Sequence, residues 1–227
     1  MEKNNFLEGP STLADSSKRV QNIVLMLHGY GSNGSDLIQI AKNWEKDFPN
    51  IYFSAPNAPF TFDALPYGFK WFEVYPDGIP VDKASDQVKN MVKDQLQLSI
   101  KAVKEHINYL LKKNSLTFNK LFILGFSQGS MMSLEIGTQL QKSIAGILSL
   151  SGRIYSEDFA KVERKKTPIL VVHGEEDEII PTHRFYETCD ILKKSNFNIE
   201  THLIKTMGHS IDEKVMEISK NFIKYYR

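Results

Sequence analysis

The chain has 227 residues and a mass of 26.0 kDa, a length that suits one α/β domain with a single substantial core. Its 28 Lys and Arg residues balance 27 Asp and Glu residues, and a net charge of +1 argues against a partner recognised through a global field, such as nucleic acid. The single cysteine, Cys189, excludes an internal disulfide and has no second thiol with which to bind zinc.

The N-terminal residues are polar and lack the apolar stretch of about 7 to 15 residues that a signal peptide requires. No later run approaches the roughly 18 apolar residues of a membrane span. We therefore expect a cytoplasmic protein whose partner is a small molecule or an acyl chain.

Short apolar runs alternate along the chain with longer stretches of helical period. This alternation predicts βαβ units, and therefore an α/β fold with a mostly parallel central sheet and helices on both faces. The last run has mixed polarity, which predicts a strand at the edge of the sheet. The predicted strands are Ile23 to Leu27, Ile51 to Ser54, Leu121 to Leu124, Ile144 to Ser149, Ile169 to Val172 and Ile199 to Ile204.

Apolar residues at spacings of three and four predict the helices. The stretch from about Ser85 to Lys113 is long for one helix, and Asn114 marks its expected end. The predicted helices are Leu37 to Trp44, Ser85 to Lys113, the residues after Ser127 as far as Leu140, Thr182 to Lys194 and Asp212 to Tyr226.

Residues 56 to 80 interrupt this pattern with many prolines and aromatic residues. Loops of this length are often lids or binding loops, so one interpretation is a lid whose Phe60 and Phe62 close over an acyl chain or make transient contact with a membrane. The alternative is an ordinary hairpin or loop whose aromatic side chains plug the end of the core. Since no repeat or linker is found, we expect one domain spanning residues 1 to 227.

A candidate nucleophile lies where a buried strand ends and a helical pattern begins. Gly125-Phe126-Ser127-Gln128-Gly129 matches G-x-S-x-G, which predicts a sharp turn that holds Ser127 in a strained conformation with its hydroxyl exposed. Side chains at Gly125 and Gly129 would collide with the neighbouring strand and helix. The alternative is a Gly-Ser turn without chemistry.

A tetrahedral oxyanion needs two hydrogen-bond donors. The amide of Gln128, the residue after the nucleophile, is the first candidate, at the positive end of the predicted helix. The second is the amide of Tyr30, because His28-Gly29-Tyr30-Gly31 leaves an early strand in the H-G-x-G pattern. That pattern alone would indicate only a turn.

A general base should follow Ser127 in the chain, where four histidines lie. His202 falls inside the last predicted strand and His183 in the first turn of a predicted helix. His209 lies on a glycine-containing loop after that strand, and loops at the carboxyl ends of strands carry the functional groups of open α/β sheets. His209 is therefore the predicted base.

The acid that orients this histidine should follow the strand ending at Val172. The sequence there is His173-Gly174-Glu175-Glu176-Asp177-Glu178, and most carboxylates in such a run face solvent. Glu175 is too near the strand, so the pattern leaves Glu176, Asp177 and Glu178 as candidates.

Several motifs together resemble the carboxylesterase and phospholipase family of α/β-hydrolases, which includes the acyl-protein thioesterases. They are Leu27-His28-Gly29-Tyr30-Gly31, Ala55-Pro56-Asn57-Ala58-Pro59, Trp71-Phe72, Gly125-Phe126-Ser127-Gln128-Gly129, His173-Gly174-Glu175-Glu176-Asp177 followed by Pro181, and Gly208-His209. The resemblance implies the α/β-hydrolase fold and a triad of Ser127, Asp177 and His209. It also implies that the Tyr30 and Gln128 amides form the oxyanion hole, that Trp71 lines the approach to the nucleophile, and that no metal or cofactor is used. We expect Phe72, next to Trp71, to bind substrate with it.

The resemblance implies hydrolysis of short esters, lysophospholipids or acyl thioesters on proteins, by a monomer or a homodimer. We therefore expect a serine carboxylic ester hydrolase that forms an acyl-enzyme, with a lysophospholipase or a depalmitoylating thioesterase as physiological role. A peptidase or C–C bond hydrolase of the same fold is a rival, because a fold alone does not fix chemistry. A lipid-binding or partner-binding protein without catalysis is another.

Overall fold

The structure, a computed structural model, describes residues 7–156 and 166–227. Its central feature is a seven-stranded sheet in the order β1-β3-β2-β6-β7-β8-β9, beside a separate hairpin formed by β4 and β5. The strands are β1 Ser11–Leu13, β2 Asn22–Leu27, β3 Ile51–Ser54, β4 Phe60–Thr61, β5 Phe69–Lys70, β6 Leu121–Phe126, β7 Gly146–Leu150, β8 Ile169–Gly174 and β9 Ile199–Ile204.

The main sheet is parallel except for β1, which pairs antiparallel with β3 at one edge. All the predicted strands are present, and their continuous apolar sequences correspond to burial on both faces in β2, β7 and β8. The mixed sequence of β9 lies at the other edge and is partly exposed, which confirms that prediction. The short strand β1 was not among the predicted strands.

The helices are α1 Gly34–Leu37, α2 Gln39–Trp44, α3 Asp86–Lys113, α4 Gln128–Gln139, α5 His183–Lys194 and α6 Glu213–Tyr226. The predicted stretch from Ser85 to Lys113 is confirmed as one helix, α3. The Ser85 hydroxyl accepts a hydrogen bond from the Val88 amide at the start of this helix, and Asn114 ends it. The predicted helix from Leu37 to Trp44 is divided instead into α1 and α2. Among the described residues, none of the helices has the length and apolar character to span a membrane.

The strands alternate their side chains between two apolar cores. Ile23 and Leu25 of β2 face the core that α3, α4 and α5 cover, whereas Val24 and Met26 face the core that α2 and α6 cover. Helices therefore pack on both faces, as the sequence predicts. This packing holds the carboxyl ends of β2, β6 and β8 at one edge, from which the candidate site residues project.

Residues 56 to 80 form the hairpin β4–β5 and a 3-10 turn, Pro76–Gly78. Trp71 and Phe72 after the hairpin are fully buried, while Tyr67 at its tip is 80% exposed. The segment is thus a hairpin whose base closes the core, as the second interpretation predicts, while its role as a lid stays a prediction.

A buried histidine on α3 couples this fold to pH. His106 Nε2 lies 3.2 Å from Ser54 Oγ, and no hydrogen-bond partner is found for its buried Nδ1 within the described parts of the chain. Burial, reinforced by the charge of Lys113, lowers the pKa of His106 to about 4. The folded protein therefore holds this ring neutral over a pH range in which the unfolded chain protonates it.

We expect the free energy of unfolding to fall as the pH falls from 7.5 to 5. Between the unfolded pKa of about 6.5 and the folded pKa of about 4, the unfolded chain binds a proton at His106 that the folded chain does not. At pH 5 this linkage destabilises the fold by about 2 kcal/mol. Urea unfolding at both pH values should show that His106→Leu loses less stability on acidification than the wild type does.

The exposed His183 offers a matched control, because His183→Gln removes an imidazole at the surface. That variant should keep the pH dependence of the wild type. An equal acid loss in His106→Leu and in the wild type would contradict the assignment of the effect to His106.

Candidate active site

Ser127 occupies the sharp turn between β6 and α4. Its backbone has φ 55° and ψ −116°, a strained conformation for a residue other than glycine, as the sequence predicts. A Cβ at Gly125 would lie 2.0 Å from the Gly129 carbonyl oxygen, and one at Gly129 would lie 1.9 Å from the Leu27 carbonyl oxygen. Both glycines are therefore required by the close approach of the turn to α4 and β2.

Ser127, His209 and Asp177 form one hydrogen-bonded chain across three loops. Ser127 Oγ lies 2.9 Å from His209 Nε2, and His209 Nδ1 lies 2.8 Å from Asp177 Oδ2. Asp177 follows β8 and its side chain is buried, while His209 lies between β9 and α6 with 17% of its side chain exposed. The other carboxylates of the acidic loop, Glu175, Glu176 and Glu178, are exposed.

The second oxygen of Asp177 is held by its own loop. Asp177 Oδ1 accepts hydrogen bonds from the amides of Ile179 and Ile180, at 2.9 and 2.8 Å, which leaves Oδ2 directed at His209. Since a carboxylate only accepts, the Nδ1 of His209 carries the proton of this contact. Nε2 is then left with a lone pair that can accept the proton of the Ser127 hydroxyl.

His173, the residue at the end of β8, contacts the acid from behind. Its Nε2 lies 2.8 Å from the Ile180 carbonyl oxygen and 3.4 Å from Asp177 Oδ2. Burial lowers the pKa of His173, so the ring is neutral and its Nε2–H donates to Ile180. No role beside the acid was predicted for His173 from the sequence, although its position at the start of the acidic loop was the available signal.

The loop after β2 passes directly beside Ser127, as the H-G-x-G pattern predicts. A Cβ at Gly29 would lie 3.3 Å from Ser127 Cβ, a tight contact that glycine avoids. For the amides of Tyr30 and Gln128, no acceptor is found among residues 7–156 and 166–227. Both N–H groups are therefore available as donors, and that of Gln128 begins the 12-residue helix α4.

His28 fixes the path of that loop. Its Nε2 accepts a hydrogen bond from the Ala58 amide at 3.0 Å, and its Nδ1–H therefore donates to the Gly29 carbonyl at 2.8 Å. Burial lowers the pKa of His28 to about 4, so this neutral tautomer persists at neutral pH. The ring ties the segment after β3 to the segment after β2.

The Gln128 side chain attaches the aromatic segment, residues 56 to 80, to the turn at Ser127. Its Oε1 accepts from the Trp71 amide at 2.9 Å and its Nε2 donates to the Phe72 carbonyl at 2.7 Å. The indole of Trp71 donates to the His28 carbonyl at 2.9 Å. Both side chains are fully buried, and their contact with substrate stays a prediction.

Phe60 and Phe62, the other aromatic residues predicted to contact substrate, are half-buried. The Phe62 ring lies 4.9 Å from the Tyr30 ring in an edge-to-face arrangement and also packs against Gly31. Phe60 pairs with Lys70 in the hairpin. Phe62 is therefore the one of the pair that lies beside the loop of the candidate oxyanion donor.

A cavity of about 330 Å³ opens beside His209, within the size range of small-molecule sites. Phe126 and Ile211 contribute apolar walls, and Ser32 and Asp36 contribute polar groups. In the part of the chain that the structure describes, no three side chains of His, Cys, Asp or Glu are grouped as metal ligands would be.

A mostly parallel sheet with a strained serine between a central strand and its helix defines a hydrolase of the α/β-hydrolase fold. Residues 9–227 match the phospholipase/carboxylesterase family over nearly the whole chain. The chain belongs to this family, which confirms the resemblance predicted from the motifs.

Two relatives are similar to this chain over most of its length. Acyl-protein thioesterase 1 of Emericella nidulans is 27% identical over 215 residues, which cover 88% of each chain. Esterase YpfH of Escherichia coli is 25% identical and covers 92% of this chain and 84% of its own. The chain is thus a hydrolase whose relatives are named for thioester and ester cleavage.

Two solved structures have the same fold. The crystal structure of esterase PE8 has a TM-score of 0.87 at 26% identity, covering 98% of this chain and all of the other. Arabidopsis thaliana SOBER1 has a TM-score of 0.74 at 25% identity, covering 90% of this chain and 98% of its own. The predicted α/β-hydrolase fold is therefore confirmed.

Proposed function

We propose that this chain hydrolyses acyl esters or thioesters through a covalent acyl-enzyme on Ser127. The observation that carries the proposal is the hydrogen-bonded chain from Ser127 Oγ through His209 to Asp177, at 2.9 and 2.8 Å. It supplies a nucleophile, a base within reach of its proton, and a group that holds the base in the required tautomer.

In the first half of the reaction, Ser127 Oγ attacks the acyl carbonyl carbon while His209 Nε2 takes the hydroxyl proton. The amides of Tyr30 and Gln128 donate to the oxyanion that forms, and Asp177 stabilises the imidazolium of His209. His209 then protonates the departing alcohol or thiol, which leaves the acyl group on Ser127.

In the second half, water enters the place of the leaving group. His209 takes a proton from the water as it attacks the acyl-enzyme, and the same two amides receive the oxyanion a second time. Collapse of this intermediate returns the proton from His209 to Ser127 Oγ and releases the carboxylic acid. No redox step is involved, and every proton is carried by His209.

The substrate we propose is an acyl ester or thioester of a lipid, a small molecule or a protein. The names of the relatives support this class, and the cavity beside His209 gives room for one of the two groups that flank the carbonyl. Lysophospholipid hydrolysis and removal of acyl groups from protein thiols are the two physiological roles to compare.

We also propose that the chain forms a single domain. The tip of its hairpin, with the exposed Leu65 and Tyr67, makes transient contact with membranes.

A matched panel of p-nitrophenyl esters from acetate to palmitate, with the corresponding acyl thioesters and a set of peptides, tests this function in buffer containing chelator. We expect turnover of esters and thioesters and no cleavage of peptides. Cleavage restricted to peptides, or no turnover by a protein that melts cooperatively, would contradict the proposal.

Phe60 and Phe62 should influence the choice of acyl chain. The Phe62 ring packs on Tyr30 of the candidate oxyanion loop and Phe60 lies in the same hairpin, so removing both takes apolar surface from this side of the candidate site. We expect the double variant Phe60→Ala/Phe62→Ala to shift the preference toward shorter acyl chains, by about tenfold in the ratio of kcat/KM for palmitate to butyrate. An unchanged ratio, together with unchanged binding to liposomes, would remove both phenylalanines from the substrate site.

A further inference from the structure

The side chain of Tyr30 enters a polar cluster that lies behind the loop of the candidate oxyanion donor. Its hydroxyl donates to Glu73 Oε1, which also accepts the amides of Val74 and Tyr75 at 2.9 and 3.0 Å. Lys70 Nζ lies 2.5 Å from Glu73 Oε2. Since the side chains of Lys70 and Glu73 are only 14% and 13% exposed, water competes weakly for these contacts.

The protonation states make this contact strong. Burial would raise the pKa of Glu73, but hydrogen bonds from Lys70, Tyr30 and the Tyr75 amide lower it overall, so the carboxylate is charged at neutral pH. Burial and the neighbouring Glu73 raise the pKa of Tyr30, so the phenol stays protonated. A neutral hydroxyl therefore donates to a charged carboxylate, which gives a stronger hydrogen bond than two neutral groups would.

The backbone after Tyr30 is held by the hairpin, whereas no acceptor is found for the Tyr30 amide among the described residues. The Gly31 amide donates to the Phe69 carbonyl at 2.9 Å, and the Phe69 amide donates to the Ser32 carbonyl at 2.8 Å. These bonds attach the residues after Tyr30 to the hairpin. The hydroxyl of Tyr30 adds a side-chain attachment to Glu73, so the residue is held through its side chain as well as through the backbone that follows it.

We propose that Tyr30 and Glu73 act as positioning residues, whose side-chain contact aims the Tyr30 amide at the oxyanion. The inference rests on the proposed function, because it concerns stabilisation of an oxyanion. The contact also links the aromatic segment to the reaction centre, since Lys70 and Glu73 belong to that segment and Tyr30 to the loop after β2. Loss of a whole oxyanion donor lowers rates by about 100- to 1,000-fold, and a misdirected donor should lose part of this.

Three variants test the proposal: Tyr30→Phe, Glu73→Ala and the double variant. Each single variant should lower kcat/KM for p-nitrophenyl butyrate by about tenfold. The double variant should be no slower than the slower single one, because both remove the same contact. Tyr30→Phe removes one oxygen atom and keeps the ring packed on Phe62, so it preserves the fold even where Glu73→Ala does not. Tyr225→Phe, which alters an exposed tyrosine on α6, should match the wild type.

A pair of inhibitors separates positioning from a loss of general stability. A butyl trifluoromethyl ketone forms an anionic hemiketal with a reactive serine, whereas the corresponding methyl ketone binds largely without forming an oxyanion. The Ki of the trifluoromethyl ketone should rise about tenfold in Tyr30→Phe, in parallel with kcat/KM, while the Ki of the methyl ketone stays within about twofold.

Either inhibitor result decides the question. Equal changes in both Ki values, or none in an active Tyr30→Phe enzyme, would overturn the positioning role and leave the proposed function standing. A wild-type protein that neither hydrolyses esters nor binds the trifluoromethyl ketone would overturn the proposed function and the positioning role together.

Discussion

Replacing Ser127 by alanine should lower kcat for ester hydrolysis by about four to six orders of magnitude. The substitution removes the oxygen that attacks the carbonyl and keeps the Cβ, so the turn between β6 and α4 retains its shape. The residual rate would come from attack by water on the carbonyl carbon, with the Tyr30 and Gln128 amides donating to the oxyanion that forms. Steady-state kinetics on p-nitrophenyl butyrate measures the loss, and a thermal melt confirms that the variant is folded.

Ser35 on the exposed side of α1 provides the matched control for this result. Ser35→Ala removes a surface hydroxyl and should change kcat by less than about twofold. Retention of more than about 1% of the wild-type rate in Ser127→Ala would contradict its role as nucleophile, because water held by the remaining groups does not reach that rate.

Asp177→Asn should lower kcat by about 10⁴-fold while the protein remains folded. The asparagine keeps an oxygen that can accept from the amides of Ile179 and Ile180, so the loop after β8 is preserved. Its NH₂ group, however, would face Nδ1 of His209 as a donor. His209 would then carry its proton on Nε2, where it can no longer accept the proton of Ser127.

The neighbouring glutamates make this prediction selective. Glu176→Gln and Glu178→Gln alter exposed carboxylates of the same loop and should leave kcat within about twofold of the wild type. A loss in either glutamine variant comparable to that of Asp177→Asn would contradict the assignment of Asp177. The set therefore decides experimentally what the acidic sequence leaves open.

Most of the fold follows from local apolar pattern. The bounds of β3 and β9 agree with the sequence prediction, because turn residues or a change in polarity flank each of these two strands. The predicted strand Ile144 to Ser149 is displaced, since pairing begins at Gly146 opposite Phe122 and extends to Leu150. An apolar run does not show where pairing with a neighbouring strand starts.

The sequence likewise predicts only part of the candidate site. The turn at Ser127 and the loop of His209 are visible in the sequence because glycine marks both. Which carboxylate of the acidic loop contacts His209 depends on the backbone path of the loop after β8. The local residue pattern does not give that path. The sequence also does not show that the Gln128 side chain bonds to the backbone of Trp71 and Phe72, because these residues are more than 50 positions apart along the chain.

The central claim is that Ser127 is the residue that becomes acylated. Titration with a fluorophosphonate probe, followed by mass spectrometry of proteolytic fragments, tests it most directly. We predict one adduct for each chain, located on Ser127, and a loss of ester hydrolysis in proportion to labelling. An adduct on another residue, or continued ester hydrolysis by fully labelled protein, would contradict the account.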